Sequence, residues 1–125
     1  RWQIVKTQPK VVYDVAHNID SLEHAFNQIK NTKGKIRIVF GTLDKTDQLD
    51  CLKIFPKKHE YYFCAPKTKR AMSLKKLCKK AKELKINFSS HSSVKKAYHT
   101  AFMNSKNDDT VLVTGSTYLF SEINN

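Results

Sequence analysis

A chain of 125 residues has room for one domain that buries roughly 65% of its unfolded surface, and a composition of 40% hydrophobic and 27% charged residues excludes a disordered polymer. No apolar run nears the ~20 residues of a bilayer span and no stretch reads as a secretory signal, so the expectation is a cytoplasmic protein without a membrane partner. The net charge of +12 is concentrated: residues 53–96 hold fourteen Lys/Arg and two acids, Glu60 and Glu83, while the rest of the chain holds nine of each sign.

Along the chain, strand-type and helix-type runs alternate. WQIVK (2–6) and VVYDV (11–15) are β-branched and aromatic and read as strands. Gln8-Pro9-Lys10 between them is too short for a crossover, so the first strand is expected to be antiparallel. Leu22, Ala25, Phe26 and Ile29 recur at helical spacing, with Asn18 or Asp20 as N-cap and Asn31 to Gly34 as the stop. KIRIVF (35–40) is a buried-type strand ending at Gly41. Leu49, Leu52 and Phe55 suggest a short helix before Pro56, and EYYFCA (60–65) is a strand stopped by Pro66. Ser73 caps an amphipathic helix with Leu74, Leu77, Cys78, Ala81 and Leu84 inside and Lys75, Lys76, Lys79, Lys80 and Lys82 outside. INFSS (86–90) is a short strand. Val94, Ala97, Tyr98, Ala101 and Phe102 make another helix, capped near Ser92. TVLVTG (110–115) is the last strong strand, and STYLFSEI closes with a short helix. The alternation predicts an α/β domain with a largely parallel sheet.

Two features bear on chemistry without naming it. The cysteines, Cys51, Cys64 and Cys78, are widely spaced and form no CxxC pair, which indicates neither zinc nor redox chemistry and suits a reducing compartment. The basic stretch is the footprint of a polyanion partner or of a solvated face. Twenty of the chain's twenty-three basic residues are Lys rather than Arg, and no RNP-type aromatic motif or helix-turn-helix accompanies them; this favours the solvated face over nucleic acid.

In open α/β sheets ligands bind beyond the carboxyl ends of the strands. Here those ends carry Asp14-Val15-Ala16-His17-Asn18, Gly41-Thr42-Leu43-Asp44-Lys45, Pro66-Lys67-Thr68-Lys69-Arg70 and Thr114-Gly115-Ser116-Thr117. Four strand ends are thus expected to meet along one rim, with Gly41 and Gly115 admitting a ligand close to the backbone. Each residue also has a plainer role: Asp14 and Asn18 as helix caps, His17 as a structural hydrogen-bonder, Lys45 as a solvated charge, Ser116 as an N-cap. There is no GxxxxGK[ST] phosphate loop, no GxSxG elbow, no HExxH and no set of ligands for an all-protein metal site.

RWQIV with VVYDVAHN, then RIVFGTLDK, then VLVTGSTYLFSE resemble the C-terminal domain of folylpolyglutamate synthase/dihydrofolate synthase, of the Mur ligase superfamily. DVAHN and TGSTYLFSE are the most specific pieces, and the likeness runs from Arg1 to about Ile123. It implies a Rossmann-like three-layer domain, residues 1–125, with a sheet of about six mostly parallel strands. It implies an ATP-dependent amide ligase that joins L-glutamate to dihydropteroate or folate through an acyl phosphate. The phosphate loop and the Mg2+ ligands would lie on an N-terminal domain of the same enzyme, and the C-terminal domain alone would be inactive. By motif, Arg1, Asp14 and Asn18 are carried over as ATP-binding, His17 as catalytic, and Lys45 and Ser116 as glutamate-binding. The family's loop after the glycine usually reads Asp-Lys-Asp; here it is Asp44-Lys45-Thr46-Asp47 and one residue shorter. Another Mur-type amino-acid ligase is the neighbouring reading, and a Lys-rich polyanion module the competing class.

Overall fold

The computed structural model describes residues 2–124. Among them run six strands: β1 (Trp2–Thr7), β2 (Lys10–Asp14), β3 (Ile36–Phe40), β4 (Glu60–Phe63), β5 (Phe88–Ser90) and β6 (Thr110–Thr114). The helices are α1 (Ile19–Ile29), α2 (Leu74–Glu83), α3 (Val94–Asn104) and α4 (Tyr118–Asn124), with a 3-10 segment at Gln48–Ile54. The strands form one sheet in the order β1-β2-β6-β3-β4-β5. Only the β1–β2 pair is antiparallel; β2–β6, β6–β3, β3–β4 and β4–β5 are parallel.

Alternation along the central strands builds two cores. Val12, Leu112, Ile38, Phe40, Tyr61 and Phe63 face one side, where Leu22, Ala25, Phe26 and Ile29 of α1 and Leu77 and Ala81 of α2 cover them. Val11, Val111, Val113, Val39 and Tyr62 face the other side, under Val94, Ala97 and Ala101 of α3 and Leu119 of α4. The result is three layers, helices on both faces of a mostly parallel sheet, as the alternation predicts.

Local chemistry fixes the helix ends. Asn18, one of the two expected caps, starts α1: its Oδ1 accepts from the Ser21 N–H at 2.8 Å, and the Ser21 hydroxyl oxygen accepts from the Asn18 N–H at 3.2 Å. Ser73 caps α2 as expected. Ser93, not Ser92, caps α3, because its side chain is the one in register to accept from the Lys96 N–H, at 3.1 Å. The segment around Leu49 and Leu52 is 3-10 rather than α-helical. It spans Gln48–Ile54, and the Phe55 N–H closes on the Leu52 carbonyl, which keeps the turn at three residues before Pro56.

One buried polar group lies inside a strand that reads as apolar. Arg37 of β3 is 6% exposed. Its guanidinium meets Asp109 at 2.8 Å and Glu60 at 3.1 Å. Burial works against the charge on both partners of the Arg37–Asp109 pair. For Asp109 this is outweighed by the N–H groups of Lys106 and Lys35, each at 2.8 Å, and by Arg37, so the carboxyl stays below its ordinary range. For Arg37 the bond to Asp109 and the charge of Glu60 outweigh it, so the guanidinium is held still more firmly protonated.

Candidate functional site

β6 lies between β2 and β3, and all three run the same way, so their carboxyl ends adjoin. The chain leaves β2 into α1 on one face and leaves β6 into α4 on the other. Adjacent strands whose connections part to opposite faces leave a crevice at their ends. A cavity of about 230 Å³ opens there, and its lining includes His17, Thr42, Lys45, Gln48, Ser116 and Tyr118.

Hydrogen bonds tie the three strand ends to one another. The Thr114 hydroxyl and the Gly115 N–H both donate to the Ala16 carbonyl, at 3.0 and 2.9 Å. The Thr42 hydroxyl, fully buried, donates to the Gly115 carbonyl at 3.0 Å. Gln48 Nε2 donates to Thr42 Oγ1 at 2.9 Å and also to the His17 carbonyl. Ser116 is buried, and its Oγ accepts from the Tyr118 N–H at 3.2 Å.

Gly41 and Gly115 are needed for this closure, and Gly115 also lines the cavity. Gly115 has φ +111°, and a Cβ there would drive into the Gly41 carbonyl and the Phe40 ring. A Cβ on Gly41 would lie 2.7 Å from the Cys64 carbonyl. Neighbouring protein backbone thus lies close to both positions.

The structure brings His17, Lys45 and Ser116 around one cavity. Neither Asp14 nor Asn18 is among the described residues that line it. Asp14 is 5% exposed at the end of β2, and Asn18 turns its carbonyl oxygen into the α1 cap. Arg1 lies outside the described residues. The loop after β4 packs beside the β3 loop, through the Leu43–Ala71 bridge and the Asp44 N–H to the Arg70 carbonyl at 2.7 Å, without lining the cavity. Three strand ends meet where four were expected. Lys45 also borders a neighbouring groove in which Asp44 pairs with Lys76 at 2.7 Å.

Among the described lining residues Lys45 is the formally charged one and none is an acid, so the cavity favours an anion. The nearby thiols are not nucleophiles in this setting: burial pushes Cys64, next to Gly41, up to about 12, aided by Glu122. No group of three or more His, Cys, Asp or Glu side chains is gathered among the described residues. Likewise, no described helix is long and apolar enough to cross a membrane.

The sequence reading placed Thr42 at the rim without giving it a role and overlooked Gln48. Thr42 stands directly after a strand-ending glycine, a position that signals a site. Gln48 gives no such signal, because only the 3-10 path of Gln48–Ile54 folds its amide back over the β2 loop.

Residues 1–117 match the family described as Mur ligase, glutamate ligase domain. The chain belongs to that family. The dihydrofolate synthase/folylpolyglutamate synthase of Escherichia coli strain K12 is 31% identical over 126 residues, covering 98% of the chain and 29% of that protein. Its counterpart from Buchnera aphidicola subsp. Acyrthosiphon pisum is 32% identical over 130 residues, with 98% and 30% covered. The structure of E. coli FolC in complex with DHPP and ADP superposes with a TM-score of 0.81 at 29% identity, over 98% of the chain and 30% of that structure. The Yersinia pestis bifunctional folylpolyglutamate synthase/dihydrofolate synthase complexed with AMPPNP and Mn ion gives 0.79 at 28% identity, with 97% and 29% covered. The chain spans about 30% of the length of the curated relatives it matches. This Mur ligase domain therefore has the three-layer fold and the antiparallel first strand of the dihydrofolate synthase/folylpolyglutamate synthase neighbours.

Proposed function

We propose that this chain is the C-terminal glutamate-ligase domain of a cytoplasmic, ATP-dependent enzyme that joins L-glutamate to dihydropteroate or a folate. The observation that carries the reading is the gathering of His17, Lys45 and Ser116 around one acid-free cavity at the β2–β6–β3 crevice, in a chain of this family.

Glutamate brings two carboxylates and one ammonium. The Lys45 ammonium and the Ser116 hydroxyl are assigned to its carboxylates, since a cation and an O–H donor both suit an anionic oxygen. Before attack the amine must lose a proton, and His17, at the cavity wall, is assigned to take it or to orient the leaving phosphate. The amine then attacks the carbonyl carbon of the acyl phosphate; the C–N bond forms as the C–O bond to phosphate breaks, and phosphate leaves.

ATP, with Mg2+, supplies the phosphoryl group that makes the acyl phosphate. Asn18 fits a nucleotide contact, because its Oδ1 is engaged by Ser21 while its Nδ2 donors are of the right sign for phosphate. Asp14 and Arg1 are assigned to ATP by the family motif. By the family resemblance, the metal is assigned to an N-terminal domain of the same enzyme.

The test is ligation by the full-length protein that carries this chain, supplied with ATP, L-glutamate and dihydropteroate or a reduced folate. ADP release should require both glutamate and the pterin acid. Lys45→Ala should raise KM for glutamate about tenfold to a hundredfold, the scale of a lost charged hydrogen bond, with a smaller rise for Ser116→Ala. Turnover that ignores glutamate but accepts another amino acid would move the enzyme to a different branch of the Mur ligases.

A further inference from the structure

We propose that Gln48 recognises the ammonium of the incoming amino acid through its side-chain carbonyl and so sets the enzyme's discrimination for an α-amine. This rests on the reading of the cavity as the glutamate site.

The hydrogen-bond inventory around Gln48 leads there. A threonine hydroxyl has one proton, and that of Thr42 goes to the Gly115 carbonyl at 3.0 Å. Toward Gln48, then, Thr42 Oγ1 can only accept. The Gln48 amide must turn its NH2 to Thr42, at 2.9 Å. The same NH2 meets the carbonyl of His17, which also can only accept. Two independent acceptors fix the orientation of the amide, and a flip would set Oε1 against both oxygens. Both Nε2 protons are thereby consumed within the protein.

The polar atom that Gln48 retains for an occupant of the cavity it lines is Oε1, an acceptor. An acceptor on this wall matches neither a carboxylate nor a phosphate, which themselves only accept when ionised. It matches an ammonium. Lys45 and Ser116 offer donors on the same cavity, so its lining combines donors for carboxylates with the Gln48 acceptor for the amine.

Glutarate is the probe that separates recognition from support, because it keeps both carboxylates of glutamate and lacks the amine. In the full-length protein, Gln48→Met should raise KM for L-glutamate about tenfold to a hundredfold while leaving inhibition by glutarate within about twofold. Gln48→Glu retains an acceptor oxygen but sets its other carboxylate oxygen against the Thr42 and His17 acceptors, so it should lower stability and turnover yet preserve the preference for glutamate over glutarate; Gln48→Leu serves if Gln48→Met does not fold. Equal weakening of glutamate and glutarate in both variants would make Gln48 a clasp between loops and overturn the proposal. No change in either constant would overturn it as well. Wild-type protein that ligates no glutamate removes the underlying reading and this one together, whereas active wild type with unselective variants removes this one alone.

Discussion

His59 is 4% exposed and lies between the Phe26 ring of α1 and the Tyr61 ring of β4. Burial, and then the charge of Lys58, lower its pKa from 6.5 to about 4. Above pH 6.5 the ring is neutral both folded and unfolded. Between there and about 4 the unfolded chain binds the proton and the folded one does not, so stability falls as pH falls. At about 1.4 kcal/mol per unit, the loss by pH 4.5 is on the order of 2–3 kcal/mol. His59→Phe keeps a ring in place and removes the titrating nitrogens. Urea unfolding at pH 7.5 and 4.5 should therefore show a smaller drop for the variant than for the wild type. Asp109, with its lowered carboxyl, stays ionised through this window and loses its contribution only as the pH falls further.

At the scale of elements, the cap of α1 divides two roles that the sequence left joined in Asn18. Asn18→Ala should cost about 1 kcal/mol of stability through the lost cap, read by denaturant midpoint. Asn18→Asp keeps the capping oxygen and removes the Nδ2 donors. If those donors serve the nucleotide, the Asp variant should be as stable as wild type yet raise KM for ATP in the full-length enzyme. Unchanged KM would leave Asn18 as a cap alone. Periodicity made α1, α2 and the central strands legible, because each buries a largely apolar stripe. The ends were harder: which of two adjacent serines caps α3 depends on which reaches the Lys96 N–H, and β5 shrinks to Phe88–Ser90 because pairing with β4 extends only over Tyr61–Phe63. Arg37 in KIRIVF read as part of a buried strand, but its partners Glu60 and Asp109 are far away in sequence. For the site, DVAHN and TGSTY were visible as motifs. Which of their side chains share a cavity depended on strand order, which no local pattern reveals.

For the molecule as a whole, both faces of the sheet are covered within this chain, so residues 1–125 should unfold in one cooperative step when expressed alone. Coincident urea transitions by circular dichroism and by Trp2 fluorescence would bear this out; separated transitions would count against a self-sufficient core. If the proposed division of the site between two domains holds, the same isolated chain mixed with ATP, glutamate and a pterin acid should form no product, whereas the full-length protein that carries it should ligate.

The place of β6 in the sheet has a consequence for how the molecule comes into being. β6, sixth of the described strands in chain order, is inserted between the second and the third, so until it is synthesised β2 and β3 wait with unpaired backbone edges and apolar side chains and no partner between them. The pairings that join the two halves span up to about a hundred residues, which makes assembly a late, long-range event. A ribosome that stalls before Thr110 would therefore release a nascent polypeptide lacking the middle of its sheet, with no crevice and with sticky strands that call for a chaperone.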